Sequence, residues 1–166
     1  MNKNFRIPRW EEIPDVDLYL EQIVSLIDGS IGKYVNEDGK KALTKTMVNN
    51  YVKQRIIEAP EKKKYNKVAV ASLFVITVLK PVFSITQIAE LINLAIKAND
   101  VAISYNRFCE VIEEAVRTVF AGEELSGRGV QNEAQYILIN VCRTFACSLY
   151  VKETYFEKGE IPNKTE

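Results

Sequence analysis

The sequence has no histidine among its 166 residues, and this absence removes several kinds of chemistry. Histidine is the usual base that activates a catalytic serine or cysteine, and it is a ligand in most zinc sites. The Glu-x-x-His pairs of di-iron bundles cannot form without it. A few charged residues remain as candidates for a small site, although such side chains ordinarily keep a helix surface hydrated. These candidates are Glu110, Glu113, Glu114, Arg117 and Arg143. We therefore expect no enzymatic activity, no metal site and no cofactor.

Cysteine is scarce as well, with three residues in the chain. Cys109, Cys142 and Cys147 are an odd number and show no Cys-x-x-Cys spacing. Each has apolar neighbours in the sequence, which is typical of thiols in a protein core. We expect all three to be buried and reduced, as thiols are in the cytoplasm.

Long apolar runs are also missing. The longest nearly apolar stretch covers residues 68–79, and its twelve residues fall short of the about 20 that a helix needs to cross a bilayer. The first eight residues lack the apolar segment of a signal peptide. The sequence therefore predicts a cytoplasmic protein that does not contact a membrane.

What is present is ordinary for a globular protein, with 47% hydrophobic and 27% charged residues. The length fits one compact domain, or two small ones that share a core. Apolar residues recur at helical spacing and predict an all-α fold. The first helix is expected over residues 16–27, between an N-cap at Asp15 and a stop at Asp28-Gly29-Ser30, and a short helix is expected over residues 44–54, capped by Thr44.

The remainder of the chain continues this pattern. Asn66 and Ser84 are good N-caps for two further helices, the first of which should end at Lys80-Pro81. Two longer helices are expected over residues 101–121 and 130–158. The eight residues between them contain three glycines, which marks a turn.

The net charge of zero, from 22 basic and 22 acidic residues, conceals a polarised chain. Residues 1–39 carry four basic and eight acidic side chains, and residues 68–166 carry nine basic and twelve acidic ones. Residues 40–67 carry nine basic and only two acidic side chains. One basic segment therefore lies between two acidic ones, so the zero total excludes only a protein that is basic over its whole surface.

The basic segment contains the short helix, whose polar face offers Lys, Thr and Asn side chains. Asn can form two hydrogen bonds with adenine, while lysines need only reach phosphates. A tight turn with three consecutive lysines follows. The predicted DNA-binding residues are Lys45, Thr46, Asn49, Asn50 and Lys53 on the helix, and Lys62, Lys63, Lys64 and Tyr65 in and after the turn. A hydrated helix face beside a charged loop would give the same pattern. The order of helix, loop, short polar-faced helix, basic turn and helix favours a winged helix-turn-helix.

The residues of this segment resemble the recognition helix of MerR-type regulators. In that family Ser or Thr opens the helix, a Tyr lies at its middle, and Gly-Leu-Ile ends it; Thr44, Tyr51 and Ile56-Ile57 match this pattern. Tyr65-Asn66 and Phe83-Ser84-Ile85-Thr86-Gln87-Ile88 are similar to the family's later elements. The resemblance implies a MerR-like winged helix-turn-helix and DNA binding.

Five runs also resemble the signature of a bacterial family, common in Gram-positive species, that is known as a domain of unknown function with MerR-like character. They are Ile7-Pro8-Arg9-Trp10, Leu18-Tyr19-Leu20, residues 44–53, Lys63-Lys64-Tyr65 and Leu79-Lys80. Two features depart from the MerR pattern. Asn49 and Asn50 stand where MerR-type proteins carry Arg and Tyr, and residues 60–64 leave room for only a minimal wing. Each lost charged contact weakens phosphate anchoring by about 1–2 kcal/mol.

These observations predict a transcriptional regulator that binds double-stranded DNA as a homodimer. We expect a MerR-like helix-turn-helix region over residues 1–99 and a two-helix region over residues 100–166 for dimerisation or for sensing a small-molecule or protein effector. The alternative is a protein-interaction module that kept this scaffold, lost DNA contact and meets an acidic partner. Trp10 is expected to pack as an N-terminal plug. Arg143 interrupts the most apolar helix and is expected at an oligomer or ligand surface.

Overall fold

The computed structural model describes residues 4–124 and 130–157, and this part of the chain is mostly α-helical. The predicted all-α class is confirmed at this level. The helices are α1 (Leu20–Val35), α2 (Lys45–Lys53), α3 (Lys67–Leu79), α4 (Ile85–Ala98), α5 (Val101–Ala121) and α6 (Glu133–Val151).

Two very short strands complete the described secondary structure, together with two irregular turns. Strand β1 (Leu18–Tyr19) pairs antiparallel with β2 (Lys64–Tyr65), with Leu18 opposite Tyr65. A single 3-10 turn (Trp10–Glu12) precedes β1, and one π-helical turn (Lys152–Phe156) follows α6. The pairing joins the start of α1 to the segment just before α3.

Side-chain caps fix three of the helix starts where the sequence predicts them. The hydroxyl of Thr44 accepts a hydrogen bond from Met47 N, and the Asn66 side chain accepts one from Ala69 N at 2.9 Å. Ser84 caps α4 in the same way. Each cap satisfies an amide that the helix itself leaves without a partner, which typically stabilises a helix by about 1 kcal/mol.

The first helix is displaced from its predicted position over residues 16–27, and this prediction was wrong. Leu18 and Tyr19 pair with β2 instead of starting a helix. The expected stop at Asp28-Gly29-Ser30 lies inside α1. The Ser30 hydroxyl donates to the carbonyl of Leu26 at 2.7 Å, so its hydrogen-bonding need is met within the helix. The helix continues because its last turns supply buried side chains to the core: Ile31, Tyr34 and Val35.

The last helix also differs from the prediction, which placed it over residues 130–158. Asn132 caps α6, because its side chain accepts a hydrogen bond from Gln135 N at 3.0 Å. The α-helix ends at Val151, and residue 158 lies outside the described residues. In the predicted glycine-rich turn, Gly122 ends α5 in the left-handed conformation, with φ of 70°, whereas residues 125–129 lie outside the described residues.

The core is continuous through the helices, and α3 lies at its centre. Leu73, Phe74 and Ile76 have no exposed surface, as expected for the most apolar stretch of the sequence. Within the described residues, no helix combines the length and the apolar character that crossing a membrane requires.

The cysteines divide into two classes. Cys109 and Cys142 are buried, as predicted. Burial raises the pKa of the Cys109 thiol to about 12 and raises that of Cys142 as well. Cys147 is exposed, so the prediction of a core position was wrong for this residue: α6 turns it away from the apolar side that packs on α5.

Residues 5–13, which we call the N-terminal strap, lie along α5. The Glu113 carboxylate accepts two hydrogen bonds from the Arg9 guanidinium, at 2.6 and 2.7 Å, and a third from Ile7 N at 2.9 Å. The Tyr105 hydroxyl donates to the carbonyl of Pro8 at 2.8 Å. The strap therefore ties the beginning of the chain to its C-terminal half.

Trp10 packs where the strap meets two helices, as the predicted plug. Its backbone amide donates to the Asn106 side chain at 2.8 Å, and its ring meets the Tyr105 ring edge to face with centroids 6.4 Å apart. On the other side, the Lys67 ammonium lies 5.0 Å from the Trp10 ring. The strap thus contacts both α5 and the first residue of α3. It therefore connects the predicted regions 1–99 and 100–166, and the division of the chain into these two regions stays a prediction.

We expect Glu113→Gln to lower the free energy of unfolding by about 1–3 kcal/mol, because the partly buried Arg9 cation loses its charged acceptor. Glu114→Gln is the matched control: its exposed pair with Arg117 spans one helical turn, and its loss should cost about 0.5 kcal/mol or less. Urea unfolding followed by circular dichroism measures both. Fluorescence of Trp10, the single tryptophan, reports the strap. Equal unfolding midpoints for the two variants would contradict this role of Glu113.

Candidate nucleic-acid interface

Helix α2 is short and amphipathic, and tertiary contacts hold its apolar side. Val48 is fully buried and Tyr51 is 9% exposed. The Lys80 ammonium, at the end of α3, lies 3.3 Å from the Met47 sulfur. Since nine residues form an unstable helix in isolation, these contacts with the core are what keep α2 helical and fix the direction of its other side.

The opposite side of α2 is polar and faces solvent. All five residues predicted for DNA binding on this helix are exposed: Lys45, Thr46, Asn49, Asn50 and Lys53. The Lys45 ammonium donates to the Glu21 carboxylate of α1 at 2.5 Å, and this contact lowers the pKa of Glu21. The structure therefore confirms the helix and its exposed face, and adds an acidic partner at its first residue.

The chain leaves α2 by a sharp reversal at Arg55. This residue has φ of 58°, a left-handed conformation that is unfavourable for a side chain other than Gly, Asn or Asp. The amide of Ile56 donates to the carbonyl of Tyr51 at 2.9 Å, and Ile57 returns to the core with 3% exposure. Arg55 is exposed at this corner. It was counted in the basic segment but was not predicted as a site residue.

The predicted tight turn is present, with two residues between Glu61 and Lys64, and we call it the lysine turn. The backbones of these two residues exchange hydrogen bonds of 3.0 and 2.9 Å. The two residues at the tip, Lys62 and Lys63, have φ of 48° and 66°. This is the geometry that Asn-Gly adopts at low cost in tight hairpins. Two lysines occupy it here at the expense of backbone strain.

Strand β2 places the two residues after the tip on opposite sides. The Lys64 ammonium lies 5.0 Å from the ring of Tyr19, across the strand pair. Tyr65 is 4% exposed and pairs with Leu18 in the core. This removes Tyr65 from the predicted DNA-binding set, because alternation along the strand turns its ring inward.

The start of α1 connects α2 with the lysine turn. Tyr19 caps this helix and meets Lys64, while Glu21 lies two residues further on and meets Lys45. Since consecutive Cα atoms are 3.8 Å apart, the Cα atoms of Tyr19 and Glu21 are separated by at most about 7.6 Å. Lys45 and Lys64 therefore converge on the same end of α1. We call the exposed side chains of α2, the exposed Arg55 and the lysine turn together the basic surface.

Not every lysine of the basic segment belongs to this surface. Lys67 is turned toward the strap, where it lies 3.5 Å from the Asp15 carboxylate and against Trp10. Tyr19, by contrast, is 46% exposed beside Lys64, and it is not among the residues predicted for DNA binding. In the sequence, only its place in the run Leu18-Tyr19-Leu20 of the family signature indicates that Tyr19 has a role. In residues 4–124 and 130–157 no group of three or more acidic or cysteine side chains is placed to hold a metal ion.

Comparison with known proteins gives a family. No curated protein and no solved structure matches the chain significantly. A family model described as a domain of unknown function, DUF1836, matches residues 8–111. The match begins in the N-terminal strap, includes the basic surface and ends within α5, and it covers more than half of the 166 residues. It confirms the predicted membership in a family of domains of unknown function. The chain therefore belongs to the DUF1836 family.

Proposed function

We propose that this protein is a DNA-binding transcriptional regulator, with the basic surface as its contact with duplex DNA. The observation that carries the proposal is the geometry of this surface. A helix with an exposed face of Lys, Thr and Asn, and a turn with two lysines at its tip, converge on one end of α1. Elsewhere the chain has an excess of acidic residues, which would keep the rest of the surface away from phosphates.

The side chains of α2 have two different roles in the proposed contact with DNA. Asn49 and Asn50 are exposed at the middle of the helix, where an amide can form two hydrogen bonds with the edge of adenine in the major groove. Lys45 and Lys53 lie at its two ends, where they would meet phosphates of the flanking backbone. We propose that DNA displaces Glu21 from Lys45, since a phosphate offers the ammonium an equivalent partner.

The backbone strain at the tip of the lysine turn is a second observation that supports the same function. Glycine or asparagine would adopt the conformation of Lys62 and Lys63 with less strain. Residues held in such a conformation commonly have a role that the strain serves. Here the turn directs two cations away from the core, which supports a role as a minimal wing beside a recognition helix.

The finer architecture that we propose is a MerR-like winged helix-turn-helix. Helix α1, the loop after it and α2 form the helix-turn-helix, and the lysine turn replaces a longer wing. The paired strands β1 and β2 anchor this wing at the start of α1. In the same proposal, α5 and α6 serve dimerisation, since regulators of this kind usually meet two half-sites.

The charge contribution of the turn is tested with Lys62→Gln combined with Lys63→Gln. We expect weaker binding to a 30-base-pair duplex of mixed sequence. The logarithm of the binding constant should fall less steeply with the logarithm of salt concentration, by a slope difference of about 2, since each phosphate contact contributes about 0.9. Fluorescence anisotropy between about 50 and 200 mM salt measures both quantities.

Lys97→Gln combined with Arg117→Gln is the matched control, because it removes two exposed charges from α4 and α5. This variant should keep the parent's salt slope. If folded parent protein fails to bind duplex at low salt, the proposal is wrong. Purification with one stoichiometric acidic protein and no nucleic acid would then favour the interaction module.

Sequence reading by α2 is tested with Asn49→Ala. We first select bound sequences from a random duplex pool, where enrichment of a two-fold symmetric site would also identify a dimer. On the selected site the variant should lose about 1–3 kcal/mol of binding free energy, while its binding to random duplex stays nearly unchanged. Asn93→Ala, at an exposed position of α4, is the control. Equal losses on selected and random duplex would show that Asn49 reads no base.

The strain in the turn is tested with Lys62→Asn combined with Lys63→Gly. We expect this variant to be more stable than the parent by about 0.5–1 kcal/mol, because Asn-Gly fits the turn. That gain should raise the thermal midpoint by about 1–4 °C, and the variant should still bind DNA less tightly. The glutamine pair above controls for the loss of charge, since it keeps the strain. Equal midpoints for the two variants would mean that the turn stores no strain.

A further inference from the structure

A cleft lies on the face of α3 that carries Ala71, Val75 and Leu79. It opens between α3, α4, α5 and the start of α6, with a volume of about 760 Å³ among the described residues. Its floor is formed by core side chains, with Leu79 1%, Tyr105 4% and Phe108 6% exposed. Its mouth has apolar residues that face solvent, among them Leu94, Ile96 and Ile103.

The shape of this cleft favours a small molecule as its occupant. Pockets for small molecules typically have volumes of about 300–1,000 Å³ and apolar walls with a few polar groups. The cleft reaches from exposed Ile103 to the buried ring of Phe108 on the same helix. A protein surface would cover the mouth and leave this depth empty, whereas a flexible apolar chain can fill it.

One cation is available at the cleft. Among the described lining residues, Arg107 is the only Lys or Arg, and its side chain is 55% exposed. Glu110 lies 3.6 Å from it, which is longer than a normal hydrogen bond. The guanidinium therefore keeps donors that match the two oxygens of a carboxylate. Glu133, the one acidic residue of the lining, lies in the first turn of α6, where the positive end of the helix dipole favours its charge.

We propose that the cleft binds an amphipathic carboxylate, with its acyl chain along the apolar floor and its head group on Arg107. The apolar floor supplies affinity through burial of the chain, at about 25 cal/mol per Å² removed from water. Arg107 supplies the preference for an anionic head. This site is independent of the basic surface, and its occupancy does not depend on DNA binding.

The test uses cis-parinaric acid, a fluorescent acyl carboxylate, and the full chain. We expect one probe per chain, and displacement by dodecanoate at least tenfold more effective than by dodecanol or dodecyltrimethylammonium, all below their micelle concentrations. Arg107→Gln should weaken dodecanoate binding about tenfold and leave dodecanol unchanged. Arg117→Gln, an exposed arginine on the same helix outside the cleft, is the matched control and should behave as the parent does.

A second pair of variants tests the position of the acyl chain. Ala95→Phe places a ring in the cleft from an exposed position of α4 and should abolish binding of both dodecanoate and dodecanol. Ala121→Phe, at an exposed position outside the lining, should not. Circular dichroism and the thermal midpoint confirm that each variant is folded.

Three results would overturn the proposal. The first is no saturable probe binding by the folded parent protein. The second is equal binding by the parent, Arg107→Gln and Ala95→Phe, which would place the probe elsewhere. The third is a dimer, seen by sedimentation, that Ala95→Phe dissociates, because the mouth of the cleft would then be covered by a second copy of the chain.

Discussion

The hydrogen bonds that Glu113 accepts from the N-terminal strap hold together parts of the chain that are 104 and 106 residues apart. A guanidinium and a carboxylate that share two parallel hydrogen bonds are fixed in direction as well as in distance. This fixes the strap on α5 and thereby the position of Trp10, whose ring meets Tyr105 on one side and Lys67 on the other. Lys67 is the first residue of α3 and lies three residues after the end of the lysine turn, so the strap contacts the chain close to the base of this turn.

The lysine turn depends on this fixed base. Its tip is strained and exposed, while Leu18 and Tyr65 below it are buried opposite one another. Backbone strain at Lys62 and Lys63 persists only where the surrounding structure compensates for it. The buried strand pair does so here, and it keeps two cations on a short, rigid projection. In the proposed complex, a longer and more flexible turn would lose more conformational entropy on contact with DNA.

The sequence was most informative where structure is local. Thr44, Asn66 and Ser84 marked helix starts correctly because each cap is a hydrogen bond to an amide three residues away, and the apolar spacing of α2 gave its exposed face. Contacts between distant segments decided the rest. Pairing with β2 drew Leu18 and Tyr19 out of the predicted first helix and turned Tyr65 inward. The partnership of Arg9 with Glu113 leaves no local pattern, and neither does the cleft, whose walls come from four helices.

Helix α3 lines the cleft, and its end contacts the buried side of α2, so a link between the two proposed sites would run through α3. Leu79 forms part of the cleft floor, and the next residue, Lys80, contacts Met47 on the buried side of α2. Burial lowers the pKa of Lys80 at this contact. An occupant of the cleft changes DNA affinity only if it binds two arrangements of α3 and α2 with different affinity. A ligand that binds both arrangements with equal affinity would fill the cleft without changing the affinity of the basic surface for DNA.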